Sequence, residues 1–323
     1  MKKTVFITLF MAMFMLLMPL SVLNNQPKAL EIAKTENKVE KTENTKKSED
    51  TFRLYDPKTE KITTINADDY IFGVVAAEMP ALYEPEALKA QAVAAYTYAC
   101  FNREQNKDNA YDLSADPSVS QCYITEEEAD AKWGEKAEEY KEKIKSAISE
   151  VSGYAITHKG EIILSVYHAI SGGTTEDSSN VWGKEYPYLK AVDSSWDKTA
   201  ENYTTTVTLT TAELKEKIGD AVKFEGEGKD YFGKATLTNS GTVKEIEVCG
   251  KNITGADLRK YLDLRSSCFE VSYSEGSFTF TVHGYGHGVG MSQFGANCLA
   301  KEGKDFKDIL KHYYTGCKIE RIN

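Results

Sequence analysis

A carboxyl group closing a short apolar stripe is the first side chain in this sequence with the makings of an acid catalyst. In the segment DYIFGVVAAE, Ile71, Val74 and Val75 recur at helical spacing, and the next position on that stripe is Glu78. A carboxyl there faces the core or the mouth of a pocket, where burial disfavours its charged form. The negative end of the helix dipole acts in the same direction. A carboxylic acid kept protonated near neutral pH can protonate the leaving oxygen of a glycosidic bond. The competing reading is a structural glutamate paired with a nearby lysine.

Two further clusters could touch a ligand. In HGYGHGVGMSQFG, glycine takes every second position at Gly284, Gly286, Gly288 and Gly290. In an extended chain those four share one face and leave a bare backbone strip, open to a ligand or to tight packing against a neighbouring strand. The spacing is not that of a dinucleotide-binding turn. In YHAISGGTTEDSSNVWGKEYPYL, Ser171-Gly172-Gly173 predicts a tight turn carrying hydroxyls, with Trp182, Tyr186 and Tyr188 shortly after it. Aromatic faces beside hydroxyls suit sugar rings, and they suit equally a loop pinned by buried aromatics. Motif location and side-chain chemistry together nominate Ser171, Gly172, Gly173, Trp182, His287 and Gln293 as substrate-binding residues.

Metal and thiol chemistry find less support. His283 and His287 are four apart, but alternating glycines exclude the stable helix that would bring them to one ion, and His168 adds no ligand spacing. The six cysteines, Cys100, Cys122, Cys249, Cys268, Cys298 and Cys317, show no CxxC spacing, and none sits in a nucleophile-like turn. Buried free thiols and one or two bridges are both compatible with that scatter. We expect no cofactor and no metal.

The elements that must position these residues mix helix and strand. FRLYDPKTEKITTI predicts a hairpin turning at Asp56-Pro57, and Asn66 to Asp69 offer capping side chains to the helix that ends before Pro80. Pro85 opens a second helix, EALKAQAVAAYTYACFNREQ, whose alanines permit close approach. A third, highly charged helical stretch runs through EEEADAKWGEKAEEYKEKIKSAISEV. YAITHKGEIILSVYHAIS predicts strands around a turn at Lys159-Gly160. Residues 203–282 are rich in Thr, Val and Phe, with short helices at 211–218 and 255–262. SFTFTVHGYGHGVGMSQ predicts a last strand and GANCLAKEGKDFKDILKHYYTG a final helix. Without strict βαβ alternation the class is α+β: a single mixed domain over 51–323, with or without a smaller β-rich subdomain.

Ahead of it, Lys2 and Lys3 precede an apolar run from Val5 to Leu23, close to the ~20 residues that span a hydrocarbon core. The run lacks a small-x-small cleavage site, so residues 1–23 are expected to be an uncleaved transmembrane anchor with everything beyond it extracytoplasmic. Residues 24–50, rich in Lys, Glu, Asn and Thr, read as a flexible charged tether or a short surface helix. The 323-residue chain is 41% hydrophobic, enough for a real core, and its net charge of −10 excludes nucleic acid as the main partner. A neutral or zwitterionic glycan remains compatible.

Five segments, AAEMP, LKAQAVAAYTYA, ISGGTTEDSSNVWGKEYPYLKAVDSSWD, ITGADLRKYLDLRS and GHGVGMSQFGANCLAKEGKDFKDILKHYYTG, occur in a characteristic order and spacing across residues 51–323. In these the chain resembles the stage II sporulation protein D family, which is related to the amidase-enhancer domain. The resemblance implies a lytic transglycosylase that cleaves between N-acetylmuramic acid and N-acetylglucosamine without water, leaving a 1,6-anhydro end. It carries the family's catalytic glutamate onto Glu78. It also implies peptide-stripped peptidoglycan strands as substrate, a cell-wall amidase and a membrane protein of the engulfment machinery as partners, and a location between mother-cell and forespore membranes. A non-catalytic, glycan-binding activator of the amidase is the alternative.

Two positions depart from the family pattern. Tyr96 stands where members usually carry Arg, which puts glycan affinity in question or asks another residue to take over. Some clostridial relatives resemble zinc binders through a His and two Cys before a CQ-aromatic motif. Here the region NAYDLSADPSVSQCYI has no His, and its one Cys, Cys122, is displaced relative to the Gln.

Overall fold

The computed structural model describes residues 50–322. The expected anchor and all but the last residue of the expected tether lie outside the described residues. Among the described residues, no helix is long and apolar enough to cross a membrane. The architecture is α+β, with several small sheets, and the chain divides into two compact units: residues up to Leu164 together with Ile319 onward, and Ser165–Lys318.

The first unit opens on the hairpin β1 (Thr51–Asp56) and β2 (Lys61–Asn66), antiparallel with Thr51 opposite Asn66. Asp56 holds the turn, accepting from the Lys58 amide at 2.8 Å and the Thr59 hydroxyl at 2.9 Å. The short β3 (Leu113–Ser114) joins the other side of β1 in parallel. Helices α1 (Ala67–Glu78) and α2 (Pro85–Gln105) are buried along most of their length, which suits sequences of Ala, Val and Ile without a polar face. Pro85 stands at the start of α2, where a missing N–H costs nothing.

The single charged helix expected after residue 125 is two helices, α3 (Glu126–Trp133) and α4 (Ala137–Val151). Gly134 breaks them with φ of 56°, left-handed backbone that glycine alone adopts without strain. Next come β4 (Tyr154–His158) and β5 (Glu161–Ile162), joined by Lys159 and Gly160 at φ of 55° and 88°. Two left-handed central residues match the right-handed twist of the hairpin strands. The strand that completes this sheet, β14 (Lys318–Arg321), arrives from the far end of the chain, giving the order β14-β4-β5.

The second unit contains a β-rich portion within residues 204–283. Strands β7 (Thr204–Thr210), β11 (Phe269–Ser274) and β12 (Ser277–His283) form one antiparallel sheet in the order β11-β12-β7. Strands β8 (Phe232–Leu237), β9 (Val243–Val248) and β10 (Lys251–Thr254) form another in the order β10-β9-β8. Alternate residues of β12, Phe278, Phe280 and Val282, enter a core shared with Leu214 and Ile218 of α6 (Thr211–Ile218) and Leu258 of α7 (Gly255–Tyr261). The period of two is what a strand with one buried face requires.

The rest of this unit is built on β6 (Tyr167–His168), parallel to β13 (Met291–Ser292), with α5 (Ser178–Trp182), α8 (Gln293–Lys301) and α9 (Phe306–Tyr313). Two expectations are corrected here. The glycine-alternating segment is not extended: Gly284, Gly286, Gly288 and Gly290 have φ of 79°, 117°, 79° and 73°, and β12 has already ended at His283. The shared bare face therefore does not exist. Close approach does, since a Cβ on Gly290 would lie 2.0 Å from the Val166 carbonyl oxygen. The single terminal helix is also two, parted at Gly303 with φ of 86°.

Candidate functional site

Glu78 is the last residue of α1. Asn66 starts that helix by accepting from the Asp68 amide at 3.0 Å, and the helix stops where Pro80 would next have to supply an N–H. Ile71, Val74 and Val75 are buried as the stripe required, and Glu78 is 9% exposed at its end.

What fixes the carboxyl is an irregular segment crossing α1, residues 120–124. Gly73 makes the crossing possible: a Cβ there would lie 2.4 Å from both the Ile124 carbonyl oxygen and the Tyr123 ring. The Ile124 amide donates to the Gly73 carbonyl at 3.3 Å, and the Tyr123 ring stacks on Tyr70 with centroids 5.5 Å apart. Gln121, buried, donates to the Tyr70 hydroxyl and the Ala95 carbonyl, both at 3.2 Å, and so ties the segment to α1 and α2 together. Between these anchors the Cys122 amide donates to Glu78 Oε1 at 2.9 Å. The Cys122 thiol hydrogen-bonds the same carboxyl, and burial followed by that neighbouring charge pushes the thiol far above its usual range. Cys122 is therefore no thiolate nucleophile.

Two more titratable groups reach Glu78. Lys132 of α3 is an exposed residue, yet its ammonium donates to the Ala76 carbonyl at 2.8 Å and the Ala77 carbonyl at 3.4 Å, in the last turn of α1. Partial desolvation of the ammonium pulls its pKa down, with the charge of Glu78 acting against the shift. The phenol of Tyr98, on α2, is pushed up chiefly by burial, with Glu78 contributing. Tyr96 instead gives its hydroxyl to Asp50 at 2.6 Å, and Arg103 pairs with that same carboxylate. Sequence reasoning nominated Glu78 but not its neighbours Cys122, Tyr98 and Lys132, because nothing in their local patterns says which helix they pack against. Beyond Glu78 the loop to α2 presents Leu82, 73% exposed.

The other nominated residues all belong to the second unit. Ser171 is buried. Its amide donates to Asp197 Oδ2 at 2.7 Å and its hydroxyl accepts from the Gly173 amide at 3.0 Å, so the predicted turn is present and its hydroxyl is engaged. The same Asp197 accepts from Ser194 at 3.0 Å and Ser292 at 2.8 Å, and its pKa is raised by burial against those hydrogen bonds. Gly172 packs against Cys268 and Gly173 against Lys198. Gln293, buried, starts α8.

Trp182 is half-buried and lies 5.3 Å, ring to ring, from His287. His287 in turn lies 5.7 Å from His168. The Val289 amide donates to His287 Nδ1 at 3.0 Å, which places the neutral ring's proton on Nε2. His168 Nδ1 donates to the Val289 carbonyl at 3.1 Å. Burial lowers the pKa of His168 to about 4 and that of His287 well below the ordinary histidine range. Both rings are neutral at physiological pH. The six cysteines are all free thiols. Among the described residues, no group of three or more His, Cys, Asp or Glu could hold a metal ion.

Comparison with known proteins places the chain in a family. The family model for "Stage II sporulation protein" matches residues 55–158, a span that includes Glu78, Tyr98, Cys122 and Lys132. Stage II sporulation protein D of Bacillus subtilis (strain 168) is 38% identical over 276 residues, covering 84% of this chain and 79% of that protein. The chain belongs to the stage II sporulation protein D family. A second member, stage II sporulation protein D of Bacillus amyloliquefaciens, is 35% identical over 274 residues, 84% of this chain and 78% of its own. The amidase enhancer of Bacillus subtilis is 26% identical over 299 residues, 76% of this chain but 40% of that protein.

Proposed function

We propose that this chain is a peptidoglycan lytic transglycosylase of sporulation, with Glu78 as its single acid/base. The observation that carries the reading is a buried carboxyl at a helix end whose position is fixed by a crossing backbone amide. Protonated Glu78 gives its proton to the oxygen linking N-acetylmuramic acid to N-acetylglucosamine, and the bond to carbon 1 breaks. The sugar's own acetamido oxygen stabilises the cationic centre. The Glu78 carboxylate then takes the proton of the carbon-6 hydroxyl as that oxygen closes on carbon 1. No water is consumed, and Glu78 ends protonated as it began. Most glycoside hydrolases instead use two carboxyls flanking the bond.

Trp182, His287, Gln293 and the Ser171-Gly172-Gly173 turn are proposed to bind glycan. Val5–Leu23 is proposed to anchor the chain in the membrane, with residues 51–323 outside the cytoplasm, alongside a cell-wall amidase and a membrane partner. Digestion of peptide-free glycan strands with mass analysis of the ends tests the reading. Anhydro-muramyl ends from the wild-type chain and none from Glu78→Gln are the expected result. Reducing ends would make it a hydrolase, and full activity in Glu78→Gln would remove the proposed acid.

The amidase-enhancer relative supports a second reading, a glycan-binding activator of an amidase. Stimulation of that amidase by a well-folded chain that cleaves nothing would favour it.

A further inference from the structure

Glu78 does not stand alone at the end of α1. Cys122 offers it two donors from one residue, the amide at 2.9 Å and the thiol. Lys132 holds its ammonium on the carbonyls of Ala76 and Ala77, the two residues immediately before Glu78. Both neighbours are over-determined by packing. Cys122 lies between the anchors at Gln121 and Tyr123. Helix α3 is fixed by a capping box, with Thr125 accepting from the Glu128 amide at 3.1 Å and Glu128 accepting from the Thr125 amide at 2.9 Å. Trp133, adjacent to Lys132, packs edge-on against Phe72 of α1 with centroids 6.3 Å apart. Titratable groups facing Glu78 include Tyr98 from α2, Cys122 from the crossing segment and Lys132 from α3.

We infer that Cys122 and Lys132 are positioning residues that hold Glu78 as a carboxylate during the interval between its two proton transfers. The inference rests on Glu78 acting as the acid/base. In that interval the group has lost its proton to the leaving oxygen and has not yet collected one from the carbon-6 hydroxyl. Two donors and a nearby ammonium favour that charged form over the neutral acid. A lysine that merely capped a helix, or a cysteine that merely filled space, would leave the ionisation of Glu78 untouched.

The test is the pH profile of glycan cleavage by Cys122→Val and Lys132→Met, with Cys122→Ser and Lys132→Arg as conservative partners. A general acid is active while protonated, so its ionisation sets the alkaline limb. Removing a donor or the cation raises that limb by roughly half to one pH unit, and the Ser and Arg variants restore most of the shift. Should one apolar variant fail to fold, the other still decides. A parallel carbon-13 titration of the Glu78 carboxyl, assigned by its loss in Glu78→Gln, reads the same contacts without requiring catalysis. An unmoved limb and an unmoved titration overturn the inference while leaving the cleavage reading intact. A moved titration in a chain that cleaves nothing upholds the contacts and overturns the cleavage reading.

Discussion

Gly73→Ala is the substitution whose outcome the structure constrains most sharply, because two known effects oppose each other. Gly73 is an interior residue of α1, where alanine is ordinarily the better helix former by about 1 kcal/mol. Against that, the new Cβ would meet the Ile124 carbonyl oxygen and the Tyr123 ring at 2.4 Å each. That is ~1 Å inside ordinary contact distance. The ring could tilt, but the carbonyl belongs to backbone held by the Gly73–Ile124 hydrogen bond and by Gln121. Overpacking of this kind costs about 1–3 kcal/mol, so against the ~1 kcal/mol propensity gain the net loss is ~0–2 kcal/mol, toward the upper end because the clash is with held backbone. The functional loss should be larger than the stability loss. A segment displaced by ~1 Å carries the Cys122 amide away from Glu78, and a misplacement of that size can cost about a hundredfold in rate. Denaturant unfolding gives the first number and glycan cleavage the second. An alanine variant as stable and as active as wild type would refute the reasoning that the crossing segment positions the acid.

Two other perturbations follow from the second unit. His168 has a pKa of about 4 in the folded chain, below the ordinary ~6.5, so the unfolded state binds its proton first. Its stabilising contribution is fully present above pH ~6.5 and is lost as pH falls toward 4, a change of about 3 kcal/mol. His168→Gln should flatten that part of the stability–pH curve, and an unchanged curve would contradict the assignment. Asp197→Ala should destabilise by about 3–5 kcal/mol in chemical unfolding, because the Ser171 amide and the Ser194 and Ser292 hydroxyls lose a buried acceptor together. A loss below ~1 kcal/mol would mean that this carboxylate does not organise the turn.

What could be read from the sequence was whatever is encoded locally. The stripe ending at Glu78, the Lys159-Gly160 turn and the strand over Ser277–His283 each depend on neighbours within one turn or one strand. The expected continuous helices failed at Gly134 and Gly303, where helical spacing persists across a residue whose backbone is left-handed. The glycine segment failed for a related reason. Alternation in sequence is common to a bare strand face and to a chain that repeatedly turns left-handed, and only backbone angles separate the two. Cys122, Tyr98 and Lys132 were illegible because their relation to Glu78 is tertiary. The distance from 78 to 122 or 132 along the chain is closed by Gly73 and Gln121, neither of which has a motif. Residues such as Ser171 and Gln293 were nominated by type, and their burial followed from capping and turn contacts that type alone does not reveal.

The strand β14 has a consequence for how the polypeptide is made. It completes the β14-β4-β5 sheet through the Ile322 amide on the Gly153 carbonyl at 3.0 Å and the Thr157 hydroxyl on Glu320 at 2.6 Å. The first unit is thus interrupted after Leu164 and resumed at Ile319, with Ser165–Lys318 inserted between. During synthesis its helices emerge early, while the strand that closes its sheet emerges only after the whole insertion. The Glu78 unit must therefore wait, with one sheet edge unpaired, until translation has passed residue 322. Closing so long a loop late favours folding of the insertion first and leaves the Glu78 unit's sheet to be sealed last.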